Sequence, residues 1–181
     1  DPETREFSEK LYQDPNYDVG GFTGTCRNAS GGAGVDYDTR KLLYVSYEAQ
    51  EPVKIYFDDE IAEIYNGLDA VFPNEWVSVV TRDKERNKMV IRVSSPSNPG
   101  DYYFYNRQAS QLIPLYTYAP WIDRKIMAET IPVKYTARDG LVIPAYLTLT
   151  KKKTDKNYMI VLPHGGPNTK QRIGFDWWTQ F

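Results

Sequence analysis

The sequence predicts a mostly β protein, in which part of a β-propeller is followed by the first strands of an α/β domain. Three observations carry this prediction. Aromatic residues make up 14% of the 181 residues, with 15 Tyr and 4 Trp, and large aromatic side chains favour strands. Apolar and polar residues alternate over 76–116, which indicates antiparallel strands. A continuous apolar run at 158–163 is typical of a strand buried on both faces.

The N-terminal third combines loop and hairpin patterns. Residues 1–34 are rich in turn formers and predict a loop, with one weak strand near 21–26. The segments KLLYVSYE (41–48) and VKIYFD (53–58) are β-branched and aromatic, and the short stretch AQEP separates them. This arrangement predicts a β-hairpin.

A single amphipathic helix is predicted over 58–72. The acidic start DDE suits a helix N-terminus, and Pro73 ends the pattern. We interpret Asp58, Glu60 and Glu63 as the cap and solvent face of this helix, not as paired catalytic carboxylates. The apolar residues at helical spacing are Ile61, Ile64, Tyr65, Leu68, Val71 and Phe72.

Four short strands are predicted next: WVSVVT, KMVIRVSS, DYYFYN and QLIPLY. The joints RDKERN, PSNPG and RQAS are plausible tight turns. A four-stranded antiparallel meander of roughly forty residues has the size of one β-propeller blade. We therefore predict that residues 1–120 form the C-terminal part of a propeller.

The pattern changes after a linker at 118–121. A short turn, helical or irregular, is expected at 122–129, and Asp139-Gly140 predicts a hairpin turn between strands at 131–137 and 141–150. A polar loop leads to the apolar run 158–163. These features predict the opening of an α/β domain in residues 121–181.

Composition excludes several classes of function. The formal net charge of −2 and the pI near 5.5 do not favour nucleic acid or a membrane as a partner, and the basic cluster at 151–153 is expected to be a solvated loop. The single cysteine, Cys26, excludes an internal disulfide and a cysteine-based zinc site; no metal or cofactor is expected. The sequon at 28–30 is taken as chance. The compartment stays open, with the cytoplasm favoured.

The segment HGGP at 164–167 directly follows the predicted buried strand. In α/β-hydrolases an H-G-G segment after the third strand supplies one backbone N–H of the oxyanion hole. Fixed N–H groups stabilise the charge of a tetrahedral intermediate, and glycine lets the backbone approach closely. The same letters also fit an ordinary loop with a structural His164. The motif alone does not decide between these readings.

A wider resemblance favours the first reading. The stretches IPVKYTARDGLVIPAYLTLT, NYMIVLPHGGP and GFDWWTQF resemble the prolyl oligopeptidase family of serine peptidases, in its acylaminoacyl-peptidase and dipeptidyl-aminopeptidase-like branch. Upstream, VSYEAQEPVKIYFDDEIAEI, WVSVVTRDKERNKMVIRVSS and PGDYYFYN resemble the last propeller segments of that branch. The resemblance covers most of 35–181. It implies a propeller joined to a C-terminal α/β-hydrolase domain, of which 121–181 would be the truncated N-terminal part.

The resemblance also assigns individual residues. Gly166 matches the position whose backbone N–H helps to form the oxyanion hole. His164 matches a position that is Tyr in other branches, so His164 and Gly165 would shape the turn and support the substrate cleft. Other residues match the loop and helix beside that cleft: Pro167, Phe175, Trp177 and Trp178.

The catalytic triad is expected beyond this chain. None of its eight serines lies in a G-x-S-x-G elbow, and the family's acid and base follow the nucleophile in the order Ser, Asp, His. His164 precedes where that serine would be, so it is not the base. These 181 residues are therefore expected to be inactive alone.

The expected function is that of a serine peptidase fragment whose parent acts on short peptides by acyl transfer. A non-catalytic β-rich interaction module or a pseudo-enzyme is the main alternative, and a carbohydrate-binding β domain ranks below it. An apolar strand such as 158–163 left at a sheet edge invites pairing with another chain. We therefore expect self-association through exposed strand edges, or a poorly ordered stretch over the C-terminal fifty residues.

Overall fold

The computed structural model describes residues 9–19, 31–36, 38–152, 158–166 and 170–181. Their strands form three open antiparallel sheets, ordered β1-β2-β3, β4-β5-β6-β7 and β8-β9. The prediction of a mostly β fold is confirmed. The elements are β1 (Gly31–Val35), β2 (Leu42–Glu48), β3 (Pro52–Tyr56), α1 (Asp59–Val71), β4 (Trp76–Arg82), β5 (Lys88–Ser95), β6 (Asn98–Asn106), β7 (Gln111–Thr117), β8 (Thr130–Thr136), β9 (Val142–Thr148) and α2 (Trp177–Gln180).

The chain divides into two compact units, residues 1–61 and 62–181, with the boundary inside α1. In the first unit β2 and β3 form the predicted hairpin. The expectation of a loop up to residue 34 is wrong, since β1 begins at Gly31. The strand was not predicted because its glycine-rich sequence carries no strand signal. The Tyr44 ring lies opposite Gly34, where an added Cβ would overlap it. The weak strand expected at 21–26, with Cys26, lies outside the described residues.

An irregular segment, residues 9–19, is attached to β2 by hydrogen bonds. The buried Tyr47 hydroxyl donates to Asp14 Oδ2 at 2.8 Å, so Tyr12 must donate to the Tyr47 oxygen, also at 2.8 Å. Hydrogen bonds from the Asn16 backbone N–H and from Tyr47 lower the pKa of Asp14. The Tyr12 hydrogen bond and burial raise the pKa of Tyr47. Side-chain contacts therefore hold a segment that has no regular structure of its own.

Helix α1 confirms the predicted helix. Its cap is Asp58, whose Oδ1 accepts from the Ile61 N–H at 3.1 Å and whose Oδ2 pairs with Lys41 Nζ at 2.8 Å. Glu63 lies on the solvent face and pairs with Arg107 at 3.3 Å. These acidic residues therefore serve the helix and its surface, as the sequence indicated.

The predicted four-stranded meander is confirmed in strand order and direction. Alternate residues of β5 point into a core shared with α1, and Phe72 packs on Tyr103 with ring centroids 5.1 Å apart. The turn between β5 and β6 is shorter than PSNPG, because β6 already begins at Asn98. The buried core residues are Ile64, Leu68, Val77, Met89, Ile91 and Val93.

The linker after β7 contains turns at 120–121 and 124–126 and no helix. Strands β8 and β9 then form the predicted hairpin, in which Gly140 takes a φ of +88°. Across its open end Thr130 and Thr148 share a hydrogen bond of 2.8 Å. No described helix is long and apolar enough to cross a membrane.

The expectation of a buried strand at 158–163 is wrong. These residues have no regular secondary structure, and the side chains of 158–162 are between 63% and 89% exposed. A strand needs a neighbour for its N–H and C=O groups, and among the strands that the structure describes β8 and β9 pair only with each other. Within the described residues, 158–163 pair with no strand. Their apolar character is therefore not sufficient to form one.

Candidate functional site

The candidate site is the HGG loop, residues 164–166, which follows the exposed apolar segment. All three residues are exposed. Gly166 takes a φ of +151°, which a residue with a side chain adopts only under strain, and a Cβ added at Gly165 would meet nothing within 4 Å. Glycine at 166 thus permits a backbone turn that most residues resist. Pro167 lies outside the described residues.

His164 makes a local contact. Its Nδ1 lies 2.8 Å from the carbonyl oxygen of its neighbour Gly165, and no described carboxylate pairs with the ring. A histidine that acts as a base in acyl transfer needs an acid to orient it and a nucleophile within hydrogen-bond reach. Neither accompanies His164 in the described chain. The contact fits the expected role of shaping the turn.

Two of the three aromatic residues expected beside the cleft, Phe175 and Trp177, form a cluster with Phe181 around α2, whereas Trp178 is 85% exposed. Asp176 caps this short helix by accepting from the N–H groups of Trp178 and Thr179, at 2.8 and 3.0 Å. The Trp177 ring packs edge-on against Phe175 at 5.0 Å and stacks on Phe181 at 6.1 Å. No hydrogen bond, ion pair or ring contact joins the described residues of this cluster to the HGG loop.

The structure also contains a cluster of buried polar residues around Asn98 and Asp101. The sequence predicted only a turn at these positions. Asn98 is 1% exposed, donates to Glu75 Oε1 at 2.8 Å and accepts from the Gly100 N–H at 2.9 Å. Nearby, buried Asp101 forms an ion pair with Arg124 through Oδ2, while its Oδ1 has no hydrogen-bond partner among the described residues. The only sequence signal was the polarity of NPGD at 98–101, which also fits a turn.

This polar group affects the neighbouring Tyr103. Burial raises the pKa of the Tyr103 hydroxyl, and the negative charges of Asp101 and Glu75 raise it further, against the opposing charge of Arg124. Among the described residues no group of three or more His, Cys, Asp or Glu side chains is placed to hold a metal ion.

Two known proteins that this chain resembles are both peptidases by name. No protein-family model matches the chain, and no solved structure matches it significantly. Dipeptidyl aminopeptidase BIII of Pseudoxanthomonas mexicana is 28% identical over 159 residues, which cover 83% of this chain and 23% of that protein. Dipeptidyl peptidase family member 6 of Caenorhabditis elegans is 24% identical over 158 residues, or 75% of this chain and 21% of that protein.

The chain thus spans less than a quarter of the length of either relative, 23% and 21%. One relative is named a dipeptidyl aminopeptidase and the other a member of a dipeptidyl peptidase family. The chain is therefore similar to dipeptidyl peptidases, and this similarity, at low identity, supports its place in a peptidase family.

Proposed function

We propose that this chain is part of a serine peptidase of the prolyl oligopeptidase type, which acts on short peptides and releases dipeptides from their amino ends. The observation that carries the proposal is the similarity to two dipeptidyl peptidases, which covers 83% and 75% of the chain. The HGG loop adds support, because its residues match a functional segment of that family and it presents a glycine with φ of +151°.

In this proposal residues 1–120 are the C-terminal part of a β-propeller and residues 121–181 are the N-terminal part of an α/β-hydrolase domain. Support for the propeller comes from β4–β7, where each strand pairs with its neighbour in sequence, as in a propeller blade. Support for the second assignment comes from the change at the linker, after which a separate hairpin leads towards the HGG loop.

The proposed chemistry is acyl transfer through a Ser-Asp-His triad outside these 181 residues. A serine attacks the scissile carbonyl, and the oxygen of that carbonyl becomes negatively charged. The Gly166 backbone N–H is one of the donors that stabilise this charge, while His164 and Gly165 shape the turn that presents it. Peptide substrate would lie in the cleft between propeller and hydrolase.

A non-catalytic module or pseudo-enzyme is the second candidate. It is favoured by the absence of a G-x-S-x-G elbow around any of the eight serines. The coding sequence beyond Phe181 separates the two candidates. A downstream G-x-S-x-G followed by Asp and His supports the peptidase, and a stop codon directly after Phe181 supports the non-catalytic protein.

The direct test uses the complete gene product. We expect it to release p-nitroaniline from dipeptidyl anilides with free amino ends and to react with a fluorophosphonate probe, whereas the 181-residue chain alone does neither. Gly166→Ala keeps the backbone N–H but disfavours the φ of +151° that aims it, so kcat should fall, by at most about 10²–10³, the cost of losing one oxyanion-hole donor outright. Gly174→Ala is the matched control, since its added Cβ meets nothing within 4 Å.

A complete product that neither reacts with the probe nor cleaves the anilides contradicts the proposal. Equal kcat for Gly166→Ala and Gly174→Ala contradicts the role given to Gly166.

A further inference from the structure

The side-chain amide of Gln180 joins two segments that are far apart in sequence. Its Oε1 accepts from the Ala128 N–H at 2.9 Å. Its Nε2 donates to the Ala128 carbonyl at 2.8 Å and to the Pro96 carbonyl at 2.9 Å. The one acceptor and the two donors of the Gln180 amide therefore all have hydrogen-bond partners. Rotating the amide by 180° would place oxygen against two carbonyls, so the geometry allows only this orientation.

The contacted backbone groups lie at one end of the four-stranded sheet. Pro96 is in the turn between β5 and β6, and Ala128 lies two residues before β8. Ala128 is buried and Pro96 is half-buried. A buried backbone group without a hydrogen-bond partner is costly, so Gln180 satisfies the N–H and carbonyl of Ala128, which water reaches poorly.

A second contact fixes the same linker independently. Arg124 pairs with buried Asp101 of β6, and the Tyr118 N–H donates to the Gly100 carbonyl at 2.9 Å where the linker begins. Residues 118–128 are therefore held to the sheet along their length. Gln180, which lies 52 residues further along the chain, adds hydrogen bonds to Ala128 at the end of this linker.

We propose that Gln180 is a positioning residue that closes the chain by holding its own position and Ala128 together at the turn between β5 and β6. Between these two fixed positions the sequence contains the β8–β9 hairpin and the HGG loop. The closure follows from the contacts alone. Only its consequence for catalysis rests on the proposed peptidase function.

Hydrogen exchange in the 181-residue chain tests the closure directly, because the Ala128 amide proton itself forms one of the bonds. Gln180→Met keeps the length of the side chain and removes all three hydrogen bonds. We expect it to lower the protection of the Ala128 amide at least tenfold, while the amides of β5 keep theirs. Gln171→Met makes the same change at an exposed glutamine of the same segment and should leave Ala128 protected.

Gln180→Glu separates hydrogen bonding from packing. At neutral pH its carboxylate can still accept from the Ala128 N–H, but its second oxygen cannot donate and is repelled by the carbonyls of Pro96 and Ala128, so the side chain should be displaced and the protection should fall. These carbonyls disfavour the charged form and raise the pKa of the new carboxyl above its ordinary value of about 4.3. As pH falls through that pKa, the protonated carboxyl regains a donor. Protection of Ala128, corrected for intrinsic exchange, should then return.

Ala128 protection that is the same in Gln180→Met as in the wild type would overturn the inference. If Gln180→Met also exposes the β5 amides, the titration of Gln180→Glu decides: protection without pH dependence overturns the inference, and recovery at low pH supports it. In the complete gene product Gln180→Met should lower kcat more than it raises KM. A wild type without peptidase activity refutes the proposed function and leaves the exchange result intact.

Discussion

Two regions of this chain carry similar strand-forming residues and have opposite structures. Strand β5 alternates apolar and polar residues, pairs on both sides, and has Ile91 and Val93 completely buried. Residues 158–162 form a denser apolar run, yet they are exposed and belong to no strand in the described part of the chain. Apolar content therefore does not separate the two regions.

The difference lies in where each region finds its partners. The neighbours of β5 are the strands directly before and after it, joined by tight turns, so pairing needs only local chain closure. A strand buried on both faces belongs to a parallel sheet, whose neighbours are reached through crossovers of a dozen residues or more. The described chain offers residues 158–163 no such neighbour.

The test with the largest expected effect replaces one isoleucine by alanine in each region. Ile91→Ala opens a cavity in the core and should lower the free energy of unfolding by about 2–5 kcal/mol. Ile160→Ala removes an exposed side chain and should change it by less than about 0.5 kcal/mol. Urea denaturation followed by tryptophan fluorescence measures both. Equal effects would show that residues 158–162 pack in solution.

The linker allows a second test, which concerns how the sheet holds residues 118–128. Arg124→Met removes the ion-pair partner of the buried Asp101 carboxylate and leaves its Oδ2 with the 3.4 Å hydrogen bond from Asn98 Nδ2, so it should destabilise the chain by about 1–3 kcal/mol, the cost of a poorly satisfied buried acceptor. Arg138→Met, which removes an arginine from the β8–β9 turn, is the matched control. Denaturation midpoints that shift equally would contradict a specific role for the ion pair.

Self-association provides a third test, since exposed apolar residues and the outer edges of β8 and β9, which pair with no third strand in the part of the chain that the structure describes, can contact a second copy. We expect the 181-residue chain to form concentration-dependent oligomers in light-scattering experiments. Ile160→Lys should weaken the association at least tenfold, whereas Val71→Lys adds the same charge at the end of α1 and should not. A monomer at all concentrations would contradict the proposal.

The N-terminal segment adds a third case to the comparison, because residues 9–19 have no regular structure but are held to β2 by hydrogen bonds. The lowered pKa of Asp14 means that its contribution to stability is present above its ordinary pKa of 3.8 and is lost as pH falls through the lower folded-state value. Tyr47→Phe removes one donor, so the Asp14 pKa should rise and this acid dependence should weaken. NMR titration of the Asp14 carboxyl measures the shift, and an unchanged pKa would contradict the contact.

The sequence predicted those elements whose stabilising contacts are local. Helix α1, with Asp58 as its cap, and the hairpin turn at Asp139-Gly140 follow from propensity and short-range hydrogen bonds, and the structure confirms them. Strand β1 was missed because glycines carry no strand signal, although its pairing with β2 suffices to form it. The prediction for residues 158–163 was wrong because burial depends on partners that a local pattern does not contain.

The candidate site follows the same rule. The sequence identified the HGG loop through short motifs, and the positive φ of Gly166 agrees with the need for glycine there. It did not identify Gln180 or the contact between Asp101 and Arg124, because these join residues 52 and 23 positions apart. Polar side chains that satisfy distant backbone or charged groups have no periodicity by which to recognise them.

The consecutive order of β4 to β7 has a consequence for how the protein is made. Low contact order favours fast folding, and a single hairpin forms in about 1–10 μs. Synthesis adds only about 5–20 residues per second, so each of these strands can pair soon after it leaves the ribosome. Helix α1 precedes the sheet and supplies part of its core. The sheet can therefore be complete before the apolar residues at 158–162 emerge, so its strands are already paired when these residues leave the ribosome.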